Sequence, residues 1–124
     1  MAVMKSKKAL VIDSNDYVSR FFEIVLGETH SVCRADNGID GLKQIRENSF
    51  DLIVSEYEMP FMNGMEMFSL AEKIDPALKD RILFISSTDD DKFLTFVKER
   101  DIAYIQKPAS VTVIKDMVKK VINA

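Results

Sequence analysis

Short apolar runs alternate along the chain with longer stretches in which apolar residues recur every three or four positions. Five runs have the length of strands: ALVI (9–12), SVCRA (31–35), DLIVS (51–55), ILFIS (82–86) and IAYIQ (102–106). Three of them are continuously apolar, which is typical of strands covered on both faces. The pattern therefore predicts a sheet with a layer of helices on each side.

The segments between these runs carry the helical spacing of apolar residues. The clearest stripe contains Val111, Ile114, Val118, Val121 and Ile122. Spacing of i, i+3, i+4 and i+7 predicts an amphipathic helix with one apolar face. Because strand and helix alternate five times, we expect an α/β domain with a parallel sheet and right-handed crossovers.

Capping signals agree with these helices. Asn15 is expected to cap the first helix and Ser110 the last. Thr88, with Asp91 three residues later, resembles a capping box. We interpret the acidic run 89–91 as part of that cap rather than as a metal site, since carboxylates suit the positive end of a helix.

Composition narrows the class of protein. The 124 residues carry a net charge of −3, which gives no whole-molecule attraction to nucleic acid. One cysteine excludes an internal disulfide, and no apolar run is long enough to span a bilayer. Because the sequence contains no linker-like segment, we expect a single stand-alone cytoplasmic domain over 1–124, without an output domain. His30 is expected at the surface.

Polar residues stand where the predicted strands end. Asp13 and Ser14 follow the first strand, Glu56 the third, Ser86 closes the fourth, and Lys107 follows the fifth. In open parallel sheets, ligands bind outside the carboxyl ends of the strands. Two carboxylates, a hydroxyl and an ammonium would therefore converge if the strand order is 2-1-3-4-5.

Over essentially its full length, the chain resembles the receiver domains of two-component response regulators. The resemblance is carried by the segments ALVIDSND, ADNGIDGL, DLIVSEYEMPFMNG, ILFISST and YIQKP. It implies a flavodoxin-like, doubly wound (βα)5 three-layer sandwich with strand order 2-1-3-4-5. In that family a histidine kinase donates a phosphoryl group to an aspartate after the third strand, with Mg²⁺ held by the acids after the first.

The resemblance also assigns roles residue by residue. Asp13 matches the first acid of the pocket, Ser86 the switch hydroxyl, Tyr104 the switch aromatic and Lys107 the phosphate-contacting lysine. It further implies a cis peptide bond before Pro108. Two structural interpretations stay open beside these roles: Ser86 as a strand-end hydroxyl bonded to backbone, and Tyr104 as a core aromatic.

Two positions depart from the family pattern. Ser14 replaces the second acid, and Glu56 stands at the phosphoacceptor position. The pocket formed by Asp13, Glu56 and Lys107 then has a formal charge of −1, where three acids and a lysine would give −2. Because Glu58 is expected to face solvent, only its carbonyl could help to hold an ion. We therefore predict no cofactor, or weakly bound Mg²⁺.

The glutamate leads to a functional hypothesis. Its carboxylate reaches on the order of 1.5 Å further than that of aspartate, which brings Glu56 toward Lys107. We predict that Glu56 acts as a phosphomimetic glutamate that is held by Lys107 and is not phosphorylated. The domain would be a degenerate receiver that is not an enzyme and acts through protein–protein contacts.

The expected partner is a sensor kinase or a downstream effector. We expect no direct binding to nucleic acid or to a membrane. Formation of a homodimer stays open as an alternative. By analogy with the family, the contact surface is the fourth helix, fifth strand and fifth helix. Candidate contact residues there are Phe93, Tyr104, Val113 and Lys115.

Two other classes of function are weighed against this one. Asp13 could be the nucleophile of a phosphatase of the haloacid-dehalogenase type, but Asn15 replaces the second aspartate which that chemistry requires. A flavin or nucleotide site of flavodoxin type would need a phosphate loop rich in glycine, and the segment SNDYVSR contains none.

Overall fold

The computed structural model describes residues 7–123, in which five strands alternate with five helices. The strands are β1 (Lys7–Ile12), β2 (His30–Ala35), β3 (Leu52–Ser55), β4 (Ile82–Ser86) and β5 (Ala103–Gln106). The helices are α1 (Asp16–Leu26), α2 (Gly38–Glu47), α3 (Gly64–Ile74), α4 (Asp91–Glu99) and α5 (Val111–Ile122), and a short 3-10 turn (Leu78–Asp80) precedes β4. Within this range no helix has the length and apolar character to cross a membrane.

The five strands form one parallel sheet in the order β2-β1-β3-β4-β5, which confirms the predicted topology. Ile12 lies opposite Ser55, and Ser86 lies opposite Gln106. The register therefore brings the carboxyl ends of β1 and β3, and those of β4 and β5, to the same edge. The polar residues that follow these ends meet there.

Each face of the sheet has its own core. Phe22 of α1 and Ile114 of α5 pack on one face with Val11 and Leu83 of the strands. On the other face, the buried core residues come from α2, α3 and α4 and from the opposite side chains of the same strands. All four residues of β3 are buried, which explains why its first three, Leu52, Ile53 and Val54, are consecutive apolar residues.

The helix starts confirm two of the three predicted caps. Asn15 accepts the backbone N–H groups of Tyr17 and Val18, and the Ser110 hydroxyl accepts that of Val113. The capping box predicted from Thr88 and Asp91 is wrong, because α4 begins two residues later than Thr88 would require. Its N-cap is Asp90, which accepts the N–H of Lys92 at 2.9 Å, while Thr88 accepts the N–H of Asp90 itself.

The expectation that His30 lies at the surface is also wrong. His30 opens β2, pairs with Lys7 of β1 and is only 1% exposed. Its Nδ1 atom lies 2.8 Å from the Thr29 hydroxyl. Burial lowers the pKa of His30; the charge of Lys7 adds to this effect and that of Asp51 opposes it.

Candidate functional site

An ion pair joins the ends of β3 and β5. The Lys107 ammonium donates to Glu56 Oε2 at 2.9 Å and lies 3.9 Å from Asp13 Oδ2. Glu56 is 9% exposed and Asp13 is also buried, whereas Lys107 is half-buried. Three of the four charged or hydroxyl side chains predicted to converge are thus in one cluster, with the lysine between the two carboxylates.

Backbone hydrogen bonds fix the position of Glu56. Its own N–H donates to the Ile12 carbonyl at 3.0 Å, and its Oε1 accepts the N–H of Tyr57 at 2.8 Å. Gly64 packs closely against the loop that carries Glu56. A Cβ at this position would lie 2.9 Å from the Glu56 carbonyl oxygen and 2.8 Å from the Phe84 ring. Only glycine allows this close approach, so the start of α3 can pack directly against the backbone of Glu56.

Asp13 is the least satisfied acid of the cluster. Its Oδ1 accepts the N–H of Asn15 at 2.8 Å, whereas its buried Oδ2 has no hydrogen-bond partner within the described residues. Burial raises the pKa of Asp13 because it disfavours the carboxylate; Glu56 adds to this, while the Asn15 hydrogen bond and Lys107 oppose it. The cluster therefore contains one well-paired acid and one poorly paired acid.

The residues present fit Mg²⁺ poorly. Mg²⁺ requires several hard oxygen ligands in near-octahedral geometry. Here Glu56 already binds Lys107 with one oxygen and the Tyr57 N–H with the other, and both Ser14 and Glu58 are exposed. Between residues 7 and 123, no three His, Cys, Asp or Glu side chains lie in an arrangement suited to a metal ion.

Ser86 and Tyr104 are linked through backbone. The Tyr104 hydroxyl donates to the Ser86 carbonyl at 3.3 Å, and the Ser86 hydroxyl accepts the N–H of Thr88 at 3.2 Å. Burial raises the pKa of Tyr104, and the charge of Glu56 adds to the effect. The N–H of Lys107 also donates to the Ser86 carbonyl, at 2.8 Å, and the bond from Lys107 to Pro108 is cis.

Comparison with known proteins decides the family. Residues 9–119 match the family model of the response regulator receiver domain. The chain belongs to that family. This confirms the functional class inferred from the sequence: it is a receiver domain of two-component signal transduction.

Individual relatives agree with the family match. The chain is 28% identical over 112 residues to a response regulator receiver protein of Anaeromyxobacter, covering 90% of this chain and 47% of that protein. It is 25% identical over 120 residues to the chemotaxis protein CheY of Halobacterium salinarum, covering 96% and 99%. A receiver domain structure from Methanospirillum hungatei superposes with a TM-score of 0.85 at 23% identity, covering 94% of each chain.

The phosphatase alternative gains no support from these relatives. In the receiver domain, Asn15 uses its side-chain oxygen to cap α1, accepting N–H groups from Tyr17 and Val18. That oxygen is therefore committed to the helix start. As a class, receiver domains are signalling modules that contact kinases and effectors.

The sequence did not lead us to Tyr57, the residue beside Glu56. Its ring stacks on Phe93 at 4.2 Å between centroids, and its hydroxyl donates to Asp90 at 2.9 Å. Burial, with the nearby Asp90, raises the pKa of Tyr57 to about 12, and the same hydrogen bond lowers the pKa of Asp90. An aromatic residue two positions after a buried strand, followed by an acidic residue, is the signal that could have indicated this packing.

The predicted contact surface needs one correction. Phe93 is 0% exposed, because it packs against Tyr57, Phe84 and Tyr104, so it cannot contact a partner. Val113 is 47% exposed, Lys115 is exposed, and Tyr104 is half-buried. The α4 residues that do reach the surface near β5 include Lys98.

Proposed function

We propose that this domain is a degenerate receiver that acts through protein contacts and is held in one signalling state by Glu56. The observation that carries the proposal is the 2.9 Å hydrogen bond from Lys107 to Glu56. In the family the lysine contacts the phosphoryl group, so a permanent carboxylate partner would take the place of that group. The glutamate would then imitate phosphorylation.

Electrostatics support a lasting pair without requiring great stability from it. Opposite charges about 4 Å apart attract by about 4 kcal/mol at an effective dielectric near 20. Removing both groups from water offsets much of this, although Lys107 keeps 28% of its side chain exposed. The pair is therefore best understood as fixing geometry and occupying the lysine.

The same geometry disfavours phosphoryl transfer. In-line transfer requires a positioned nucleophile and neutralisation of the developing charge. Each oxygen of Glu56 already accepts a hydrogen bond, and Ser14 supplies no negative charge nearby. We accordingly propose that Mg²⁺ is bound weakly or not at all, with Asp13, Glu56 and the Glu58 carbonyl as its candidate ligands.

Incubation with a small-molecule phosphodonor and Mg²⁺, followed by intact-mass measurement, tests the proposal. We expect the wild-type chain to remain unmodified. The double variant Ser14→Asp/Glu56→Asp restores the family's acids and should gain a labile phosphoryl group. A stoichiometric adduct on Glu56 of the wild type would refute the proposal, and an unreactive double variant would show that other residues also prevent transfer.

The partner surface proposed here is the groove between α4 and α5 that runs over β5. This groove has a volume of about 680 Å³; its lining includes apolar Leu94, Ile102 and Val121. Three lysines also line it, Lys79, Lys98 and Lys120, together with two acids, Asp80 and Asp101. An apolar lining with a net positive charge suits an amphipathic helix that carries acidic residues, from a kinase or effector in the cytoplasm.

A labelled acidic amphipathic peptide is a direct probe of this groove. We expect Lys98→Glu/Lys120→Glu to abolish its binding, because the charge of the lining is reversed. Lys115→Glu changes an exposed lysine of α5 outside the groove and should leave binding nearly unchanged. Equal loss in both variants would mean that the peptide responds only to net charge.

A further inference from the structure

The Tyr57 side chain takes no part in the pair of Glu56 and Lys107, yet it reaches the helix that forms one wall of the groove between α4 and α5. Tyr57 is 5% exposed, and its hydroxyl donates to Asp90 Oδ2 at 2.9 Å. Asp90 lies 33 residues further along the chain and is the N-cap of α4. The loop after β3 is thus bonded to the start of a distant helix.

Asp90 uses its two carboxylate oxygens for different purposes. Oδ1 accepts the N–H of Lys92 at 2.9 Å, and Oδ2 accepts the Tyr57 hydroxyl. The Asp90 carbonyl also accepts the N–H of Leu94 at 3.0 Å. The N–H groups of a first turn have no partner within their own helix, so this turn depends on its cap. Because helix ends open at low cost, the first turn of α4 can fray while the rest of the domain stays folded.

The Tyr57 ring contacts the same turn. It stacks on Phe93 with 4.2 Å between centroids and 16° between the ring planes. The residue after Phe93, Leu94, lines the groove together with Lys98 one turn later. The hydroxyl and the ring of Tyr57 therefore both fix the turn from which this wall of the groove begins.

The backbone of Tyr57 is in turn bound by Glu56. One oxygen of the Glu56 carboxylate accepts the N–H of Tyr57 at 2.8 Å, and the other accepts Lys107 at 2.9 Å. A continuous series of hydrogen bonds thus joins Lys107, Glu56, Tyr57 and Asp90. Coupling between two sites also needs an element with two states that both sites bias. The first turn of α4, closed or frayed, is such an element.

We propose that Tyr57 is a positioning residue that couples the pair of Glu56 and Lys107 to the first turn of α4, and so to the groove beside it. This connection is separate from the hydrogen bond between Tyr104 and the Ser86 carbonyl at the end of β4. While Lys107 holds Glu56, Tyr57 keeps the first turn closed. The coupling itself does not require that Glu56 imitates phosphorylation; its use in signalling rests on the proposed function.

Amide hydrogen exchange of α4, followed residue by residue by NMR, tests the role of Tyr57. In Tyr57→Phe, which keeps the ring but loses the hydroxyl, we expect the amides of Lys92 and Leu94 to exchange roughly fivefold faster. Asp90→Ser keeps one capping oxygen but not the one that Tyr57 binds, so it should act similarly. Asp89→Ser is the matched control, because it removes an exposed acid beside the same helix end; exchange should hardly change.

A double-mutant cycle tests the connection to the charged pair. Glu56→Gln replaces a charged acceptor by a neutral one, which weakens its hydrogen bonds, so Lys92 and Leu94 should exchange roughly twofold faster. This acceleration should be largely lost when Tyr57→Phe is already present. It should persist in Tyr104→Phe, which removes only the hydrogen bond to the Ser86 carbonyl.

Several results would overturn the proposal. Unchanged exchange in Tyr57→Phe, or equal acceleration in Asp89→Ser, would show that the hydroxyl does not hold the turn. A Glu56→Gln effect that survives in Tyr57→Phe, or that vanishes in Tyr104→Phe, would assign the coupling to the β4 end instead. The amides capped by Asn15 at the start of α1 are an internal control, since equal acceleration there would mean a general loosening.

The coupling and the proposed function can fail separately. Hydrogen exchange uses neither a phosphodonor nor a peptide, so its outcome does not depend on what binds the groove. A wild type that becomes phosphorylated on Glu56 would refute the proposed function and leave the measured coupling intact. Additive effects of Glu56→Gln and Tyr57→Phe in an unreactive wild type would refute the coupling alone.

Discussion

Glu56 and Tyr57 are neighbours in the chain, yet they connect the end of β3 to different parts of the domain by different forces. Glu56 binds Lys107 after β5 through opposite charges, in a cluster that solvent partly reaches. Tyr57 packs on Phe93 of α4 and donates to Asp90. The comparison suggests a division of roles. The charged side, formed by Glu56 and Lys107, selects a state, and the aromatic side, formed by Tyr57 and Phe93, holds α4 in place.

Truncation of Phe93 should have the largest effect, because this ring contacts Tyr57, Phe84 and Tyr104 at once. We expect Phe93→Ala to lower the free energy of unfolding by about 3–5 kcal/mol, the usual result for a fully buried aromatic residue. Urea denaturation measures the change. Phe61→Ala is the control, since Phe61 is exposed and should lose almost nothing; similar losses in both would contradict the role given to the aromatic side.

Removal of the Lys107 charge should rank second. Lys107→Met leaves Glu56 and Asp13 buried near each other without a cation, and we expect a loss of about 2–3 kcal/mol in unfolding free energy. In the double variant Glu56→Gln/Lys107→Met, much of the lost stability should be recovered, because one buried carboxylate is left without a cation instead of two. Denaturation of the exposed control Lys115→Met gives the baseline, and no recovery in the double variant would mean that Lys107 acts through packing.

Loss of the Tyr57 hydroxyl should cost less. Tyr57→Phe keeps the stack on Phe93 but removes the hydrogen bond to Asp90, for about 1–2 kcal/mol. The wild type should also lose stability as the pH rises from the ordinary tyrosine value of 10.0 through about 12, because the folded state favours the neutral hydroxyl. The variant lacks this loss, so the two denaturation curves should converge at alkaline pH; a constant difference would show that the hydroxyl does not titrate as described.

The sequence was sufficient for the fold because its evidence was local and repeated. Continuously apolar strands and periodic helices do not depend on any single contact, and the strand ends then follow from the parallel register. It was harder to predict from the sequence which side chains are buried and which are exposed. His30 and Phe93 were both expected at the surface, but both are buried, the first where β2 pairs with β1 and the second where its ring stacks on Tyr57. Both places bring together distant parts of the chain.

The candidate site shows the same limit. The approach of Glu56 to Lys107 was predictable from the length of the glutamate side chain and from the strand order, since both residues follow strands that end at the same edge of the sheet. The position of Asp90 at the start of α4 was not, because three consecutive aspartates offered equivalent caps. Which of them binds Tyr57 depends on how the loop after β4 packs.

The smallest predicted effect has the opposite sign and tests the charged side alone. Burial raises the pKa of Asp13 above its ordinary value of 3.8, so the folded state disfavours its carboxylate. Stability attributable to this group is therefore present below pH 3.8 and is lost as the pH rises through the raised value. Asp13→Asn removes the charge and should stabilise the domain at neutral pH by up to about 1 kcal/mol, with the gain disappearing in acid. Urea denaturation of both chains across this range measures the difference. If the variant is less stable at neutral pH, the attraction of Lys107 across 3.9 Å outweighs the burial of Asp13, and the lysine serves both carboxylates rather than Glu56 in particular.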